Sequence, residues 1–391
     1  MDKIWNYKNF NMVNELDIAG EFIYDGIQTL NQMNSISVGA CIFSFLYHVS
    51  VGIERLQKII LVLFEDVTLE NYEDFEKSLI THSHGYLHER ISKKINIDFN
   101  SRENEFLTLL STFYNHSRYN RFNLNASLDH EKALLEEYIL KYVNQKNISR
   151  GVISNDILVN NKIKDLFGKV SGRISNKYYK VLREVANEKC TYTYELRNDS
   201  KAEKIFLSNN EKKSLIDLKI TETIAFKELL LFVSNTKERN PFIRFLKQIS
   251  PLQMDIALIN EYLMDITNGT IPQTLIDEVE YLYEENGYGK ERIEQINLIG
   301  NSCVMFEHGE IIECIELAET FLAHNIDSIF FARKFPAKVL RIKDDDFLEF
   351  TIDIRKSCKD FIKSKILQEE LIKQVKTFII EAKDMYGIWF N

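Results

Sequence analysis

A mainly α-helical protein with a few short strands is predicted, on three observations. Only 4 Pro and 14 Gly interrupt the 391 residues, so obligate breaks are rare. Long stretches repeat apolar side chains at three- and four-residue spacing, the period of a helix with one buried face. Runs that alternate as a strand does are short, and they fall in the centre and the C-terminal part. Hydrophobic content of 45% and aromatic content of 12% suffice for packed cores. The length exceeds what one core commonly serves. Three segments are expected: a helical bundle over 1–147, a basic central module with a β-hairpin over 148–213, and a mostly helical domain over 214–391.

The first segment holds long helices. "SVGACIFSFLYHVSVGIERLQKIILVLFED" (37–66) bears charge only at Glu54, Arg55 and Lys58 before its acidic end, as a helix buried on most sides does. "TLENYEDFEKSLITHSHGYLHERISKKI" (68–95) opens on Thr68 and an acidic first turn, a helix start. "SRENEFLTLLSTFYNHSRYNRF" (101–122) sets Ser101 three residues before Asn104, with Phe106, Leu109, Leu110 and Phe113 at helical spacing. "HEKALLEEYILKYVNQ" (130–145) adds a further helix.

In the centre, "SNDILVNNKIKDLFG" and "SGRISNKYYKVLREVANEK" read as two helices joined by a short glycine-containing link. "TYTYELRNDSKAEKIFLS" reads as a hairpin about Asn198 and Asp199. Helix, turn, helix, hairpin is the order of a winged helix. Helices return from 214, one of them with Pro241 in its first turn. "NSCVMFEHG" and "SIFFARKFPAKVLRI" read as short strands, and a helical pair closes the chain.

Composition excludes several classes. The 5 Cys are scattered and form no CxxC, so neither a zinc ribbon nor a disulfide framework is indicated, and a reducing cytoplasm suits them. Residues 1–25 mix Asp, Glu and Asn with apolar positions, unlike a signal peptide. The most apolar window, "VGACIFSFLYHVSVGI", falls short of the roughly 20 residues a span needs. A cytoplasmic protein with no membrane partner is expected. The chain contains no GxxxxGK[ST] and no GxGxxG, so no nucleotide cofactor is indicated. Net charge is −9, yet residues 131–215 carry 17 Lys/Arg against 11 Asp/Glu, a basic segment inside an acidic protein.

Candidate chemistry gathers in three places. "FYNHSRYNRF" (113–122) places Tyr114, Arg118 and Arg121 on one flank of a regular helix, with His116 on another. The Arg flank suits a phosphate, and His116 suits proton transfer; two copies of the chain, or a helix ending here, are needed to bring both to one group. The alternative is a helix rim whose arginines pair with acidic neighbours. "HSHGYLHERI" sets His84 and His88 four residues apart on one face, the spacing of helix-borne metal ligands and equally of a general acid or base. No carboxylate joins that pair, and no metal is expected; solvated histidines are the alternative. Third, Arg173, Lys177, Lys180 and Arg183 recur along one helix, the first three as a stripe, with Tyr178 interleaved. Such a stripe neutralises phosphates while a tyrosine stacks on a base; an exposed helix face between acidic domains is the alternative. Cys303 near "EHGE" is best read as a core cysteine, and Asp344 to Asp346 as a solvated helix start.

A buried helix carrying Glu54 and Arg55, then "HSHGYLHERI", then a helix ending in "YNHSRYNRF" resembles the HEPN superfamily over roughly residues 35–145. The resemblance implies a helical bundle that pairs as a dimer and, in prokaryotic toxins and phage-defence systems, cleaves RNA without a metal. It also rests on Tyr114 preceding Arg118 and Tyr119. Catalytic members carry Arg, four to six residues, then His. This chain lacks that order and has its inverse, His116 followed by Arg121. Inactive, nucleotide-binding and scaffolding members are the other outcomes the resemblance implies. The expectation is therefore a defence or toxin-type protein that binds RNA or another nucleic acid, with endoribonuclease action by His116, Arg118, Arg121, His84 or His88. The alternative is a non-enzymatic helical adaptor, self-associating or docking a partner protein.

Overall fold

The computed structural model describes residues 2–37, 39–117, 124, 130–207, 213–237, 241–300, 309–342 and 345–385. The chain is mainly α-helical, and its described residues form one two-stranded antiparallel sheet. It divides into two compact units, Met1–Glu228 with Met264–Thr270, and Leu229–Leu263 with Ile271–Asn391.

In the first unit, helix α1 (Met12–Gln32) lies along α2 (Gly39–Phe64). Gly52 permits the approach, because a Cβ there would stand 2.9 Å from the carbonyl oxygen of Ala19. Helices α3 (Tyr72–Ser78) and α4 (His84–Ser92) follow. The single helix expected from Thr68 is thus two, and Thr68 forms a turn instead: its N–H donates to Asn71 Oδ1 at 2.7 Å. Ser83 caps α4 by accepting from the N–H of Tyr86, so His82 lies just outside the helix. Helix α5 (Ser101–Thr112) starts on a capping box of Asn100 and Glu103, one residue earlier than the expected Ser101 cap. It runs into a π-helical turn, Phe113–Ser117. Helix α6 (His130–Tyr142) follows, then strands β1 (Ser149–Arg150) and β2 (Ile157–Leu158), paired Ser149 to Leu158 and Arg150 to Ile157.

The centre corrects two expectations. Residues 161–188 form one helix, α7 (Asn161–Glu188), not two with a glycine link. Each glycine inside a helix costs about 1 kcal/mol, which the burial of Ile163, Phe167, Ile174, Tyr178, Leu182 and Val185 outweighs. Gly168 and Gly172 are contact points: a Cβ on Gly168 would strike Ser214, and one on Gly172 would lie 3.1 Å from Leu215. Among the described residues, 191–207 form no hairpin and hence no winged helix. The polar groups of 191–194 turn to distant partners, with Tyr192 N–H on Asn9 Oδ1, Thr193 Oγ1 on the Lys8 carbonyl and Tyr179 OH on the Tyr194 carbonyl. Ser200 then caps a helix, α8 (Lys201–Phe206), and α9 (Leu215–Asn235) follows. The central residues Ile157, Phe167, Tyr178 and Phe206 share one core with Leu16, Phe45 and Phe106, so 148–213 is no separate module.

The second unit is helical around Ile315, Phe331, Phe335, Phe347, Leu371 and Val375. "SIFFARKFPAKVLRI" forms a helix, Ser328–Val339, not a strand: Asp327 caps it, and Phe331, Phe335 and Val339 repeat every four residues on the buried side. The expected strand at 301–308, with Cys303, and Asp344 lie outside the described residues, as do Arg118 and Arg121.

Candidate functional site

The histidines of "HSHGYLHERI" divide into an inward pair and an outward one. His84 is completely buried. Its Nδ1 donates to Gln57 Oε1 at 3.2 Å, and its carbonyl accepts from Gln57 Nε2 at 2.9 Å. Gln57 Nε2 also donates to the Tyr178 hydroxyl at 2.7 Å, and that hydroxyl faces His88 Nδ1 at 2.9 Å. His88 stacks on Phe99 with ring centroids 4.7 Å apart. One chain of hydrogen bonds thus joins α4, α2 and α7 beneath the surface. Burial holds His84 down at about 4 and lowers His88 as well, so both stay neutral near neutral pH. Among the described residues no group of His, Cys, Asp and Glu is placed to hold a metal. A catalytic role for His84 meets a physical obstacle, since no substrate atom reaches a side chain with no exposed surface.

His82 is the outward one. Its Nδ1 lies 3.0 Å from Glu54 Oε2, and its side chain keeps 42% of its surface exposed while that of Glu54 keeps 9%. Lys58 Nζ holds the other carboxylate oxygen at 2.6 Å. The imidazole packs on Tyr114, ring centroids 4.5 Å apart, which sets it beside the π-helical start of "FYNHSRYNRF". Its Nε2 has no partner among the described residues. A carboxylate on one nitrogen and solvent on the other is how a general base is oriented. Sequence reasoning passed over His82 because it falls outside the i, i+4 pair. The signal that finds it is Glu54, an acid in a largely buried helix and therefore in need of cationic or imidazole partners. His116 lies in the π-helical turn, where a regular 100° step no longer assigns its flank.

The basic stripe on α7 also splits. Lys177 is held: its Nζ lies 2.6 Å from Glu103 Oε2 and 2.6 Å from the Asp98 carbonyl oxygen. Tyr178 is wholly buried, so it offers no face to a base, which corrects its expected stacking role. Burial also raises its hydroxyl pKa. Lys180 and Arg183 are exposed on the last turns of the helix. Arg173 lines a cleft of about 290 Å³ between α5, α6 and α7, together with Arg102, Lys162 and Lys169. The two acids on the cleft wall are engaged, Asp165 with Lys169 at 2.6 Å and Glu103 with Lys177. Among the described residues Lys162 and Arg173 make no ion pair. Arg102 lies over the Tyr142 ring, 5.1 Å from its centroid. Four cations against two occupied carboxylates leave the cleft electropositive, and Arg102 was not among the expected residues because it lies outside the basic segment. Among the described residues, no helix is long and apolar enough to cross a membrane. Compared with models of known families, with curated proteins and with solved structures, the chain gives no significant match to any.

Proposed function

We propose that the first unit is the HEPN-like bundle of a prokaryotic defence or toxin-type protein, and that it binds RNA by its phosphates in the cleft between α5, α6 and α7. The observation that carries this is the convergence of Arg102, Lys162, Lys169 and Arg173, drawn from two helices, on one hollow. Guanidinium and ammonium groups brought together in this way repel one another unless an anion sits between them. Anisotropy of a labelled mixed-sequence RNA at two salt concentrations tests the reading. Arg173→Ala and Lys162→Ala/Lys169→Ala should both weaken binding, more so at low salt. Binding equal to wild type in both would remove the reading and leave the helical adaptor or dimerisation scaffold in its place.

The His82–Glu54 pair favours a second reading, cleavage of the bound RNA. His82 Nε2 takes the proton of a 2′-hydroxyl, the oxygen attacks the adjacent phosphorus, the bond to the 5′ oxygen breaks, and that oxygen takes a proton from water. His82→Ala should then leave binding intact and remove products ending in a 2′,3′-cyclic phosphate. The same products at an unchanged rate would exclude His82 from the chemistry.

A further inference from the structure

Helix α5 touches both the cationic cleft and the His82 loop. At its N-terminal end Arg102 lines the cleft. At its C-terminal end Ser111 Oγ accepts the backbone N–H of His84 at 3.0 Å. Tyr114, in the π-helical turn that continues the helix, packs on His82 with ring centroids 4.5 Å apart. One element therefore joins the cations to the imidazole. Its start is fixed by the capping box of Asn100 and Glu103, and Phe106, Leu107, Leu109 and Leu110 hold it in the core. From Arg102 to Ser111 it advances about 14 Å, at 1.5 Å per residue.

The surface between these ends is polar and almost without free charge. Asn104, Thr108 and Thr112 follow one another at i, i+4 and i+8 on the side away from the core. The one acid of α5 outside the core, Glu105, is held by Lys141 at 2.8 Å. A polyanion laid along α5 thus meets cations at one end and no uncompensated carboxylate of this helix before it reaches His82. Anchors that stand only at the two ends of a track fix the length between them. A strand stacked as in a duplex advances about 3.4 Å per nucleotide, so about four nucleotides fill that length. Resting on both readings above, phosphates held in the cleft and cleavage at His82, we infer that α5 measures the cut. The scissile phosphate lies about four nucleotides from the phosphate that Arg102 holds. The substrate is then a strand long enough to reach from cleft to imidazole, and its site of cleavage is set by distance along the backbone.

The test uses the full chain and strands of about 12 deoxynucleotides with one central ribonucleotide, so that the only 2′-hydroxyl fixes the cut. In each strand one phosphate is replaced by an uncharged methylphosphonate, and the replacement is walked along the strand. Wild type should lose about tenfold in kcat/KM when the neutral linkage stands about four nucleotides from the cut on one side, and less than about twofold at linkages farther away. Arg102→Ala should lose about tenfold on the unmodified strand and nothing further at that linkage, because the partner is already gone. Arg102→Lys keeps the charge and should keep the penalty. A penalty spread evenly over all linkages, or one that survives in Arg102→Ala, overturns the inference. If His82→Ala still abolishes cleavage in that case, the measured cut falls alone and cleavage at His82 stands. If no strand is cut, an all-RNA control included, cleavage at His82 falls and takes the measured cut with it.

Discussion

The Tyr178 hydroxyl lies 2.9 Å from His88 Nδ1 and 2.7 Å from Gln57 Nε2, so one buried oxygen ties α7 to α4 and α2. It accepts from the amide and donates to the imidazole, which places the His88 proton on Nε2, toward Ser92 Oγ at 3.4 Å. Tyr178→Phe keeps the ring on Phe99 but leaves a buried Gln57 N–H and a ring nitrogen of the half-buried His88 without that partner. The loss should be about 1–3 kcal/mol, read from the urea midpoint of the full chain. An unchanged midpoint would show that the network adds nothing to stability.

His84 makes this network acid-sensitive. Its folded pKa is held at about 4 by burial, below the ordinary 6.5, so the unfolded chain binds the extra proton between those values. Stability is therefore full above about pH 6.5 and falls as pH drops toward about 4, by about 3 kcal/mol from this one group. His88, also lowered by burial, acts in the same direction. Denaturation across this window should show the decline in wild type and a shallower one in His84→Gln, whatever that variant's stability at neutral pH. Equal slopes would mean that His84 is not the titrating group.

The Lys177–Glu103 pair calls for a different experiment. Glu103 keeps 1% of its side-chain surface exposed and also closes the capping box of α5, whereas Lys177 keeps 32%. Lys177→Met leaves that carboxylate buried without its cation and should cost about 2 kcal/mol, below the range for a fully buried pair because the lysine is partly solvated. Adding Glu103→Gln should recover part of the loss, as a neutral amide no longer needs the charge. A double variant less stable than the single one would contradict the ion pair as the cause.

Helix content was legible because apolar period and scarce Pro speak directly to backbone geometry, and the long helix at 39–64 follows that signal. The hairpin at 191–208 was misread because Tyr192, Thr193 and Tyr194 alternate for tertiary reasons: their partners are Asn9, Lys8 and Tyr179, far away in sequence. Glycines 168 and 172 were taken as a break because their neighbours, Ser214 and Leu215, are invisible to a local window. The stripe of cations on α7 was visible, but its fate was not. Glu103, 74 residues before Lys177, neutralises one member, and Arg102 beside it adds a cation to the other end. Tyr178 beside that stripe was taken as a stacking face, whereas the period of the buried side, Ile174 to Tyr178 to Leu182, places it in the core.

These fates separate in a salt titration. If the cleft binds phosphates, each cation removed from it lowers the slope of log affinity against log salt by about 1. Arg173→Ala should therefore lower the slope by about 1. Lys162→Ala/Lys169→Ala should lower it by less than about 2, because Lys169 is already shared with Asp165. Arg183→Ala should leave it unchanged: ten residues beyond Arg173, or about 15 Å along the axis, Arg183 stands outside the cleft. Lys177→Met should change stability and not the slope, since its charge is spent on Glu103. A slope lowered equally by Arg173→Ala and Arg183→Ala would mean that RNA is held by the diffuse charge of the helix and not by the hollow that Arg102, Lys162, Lys169 and Arg173 surround.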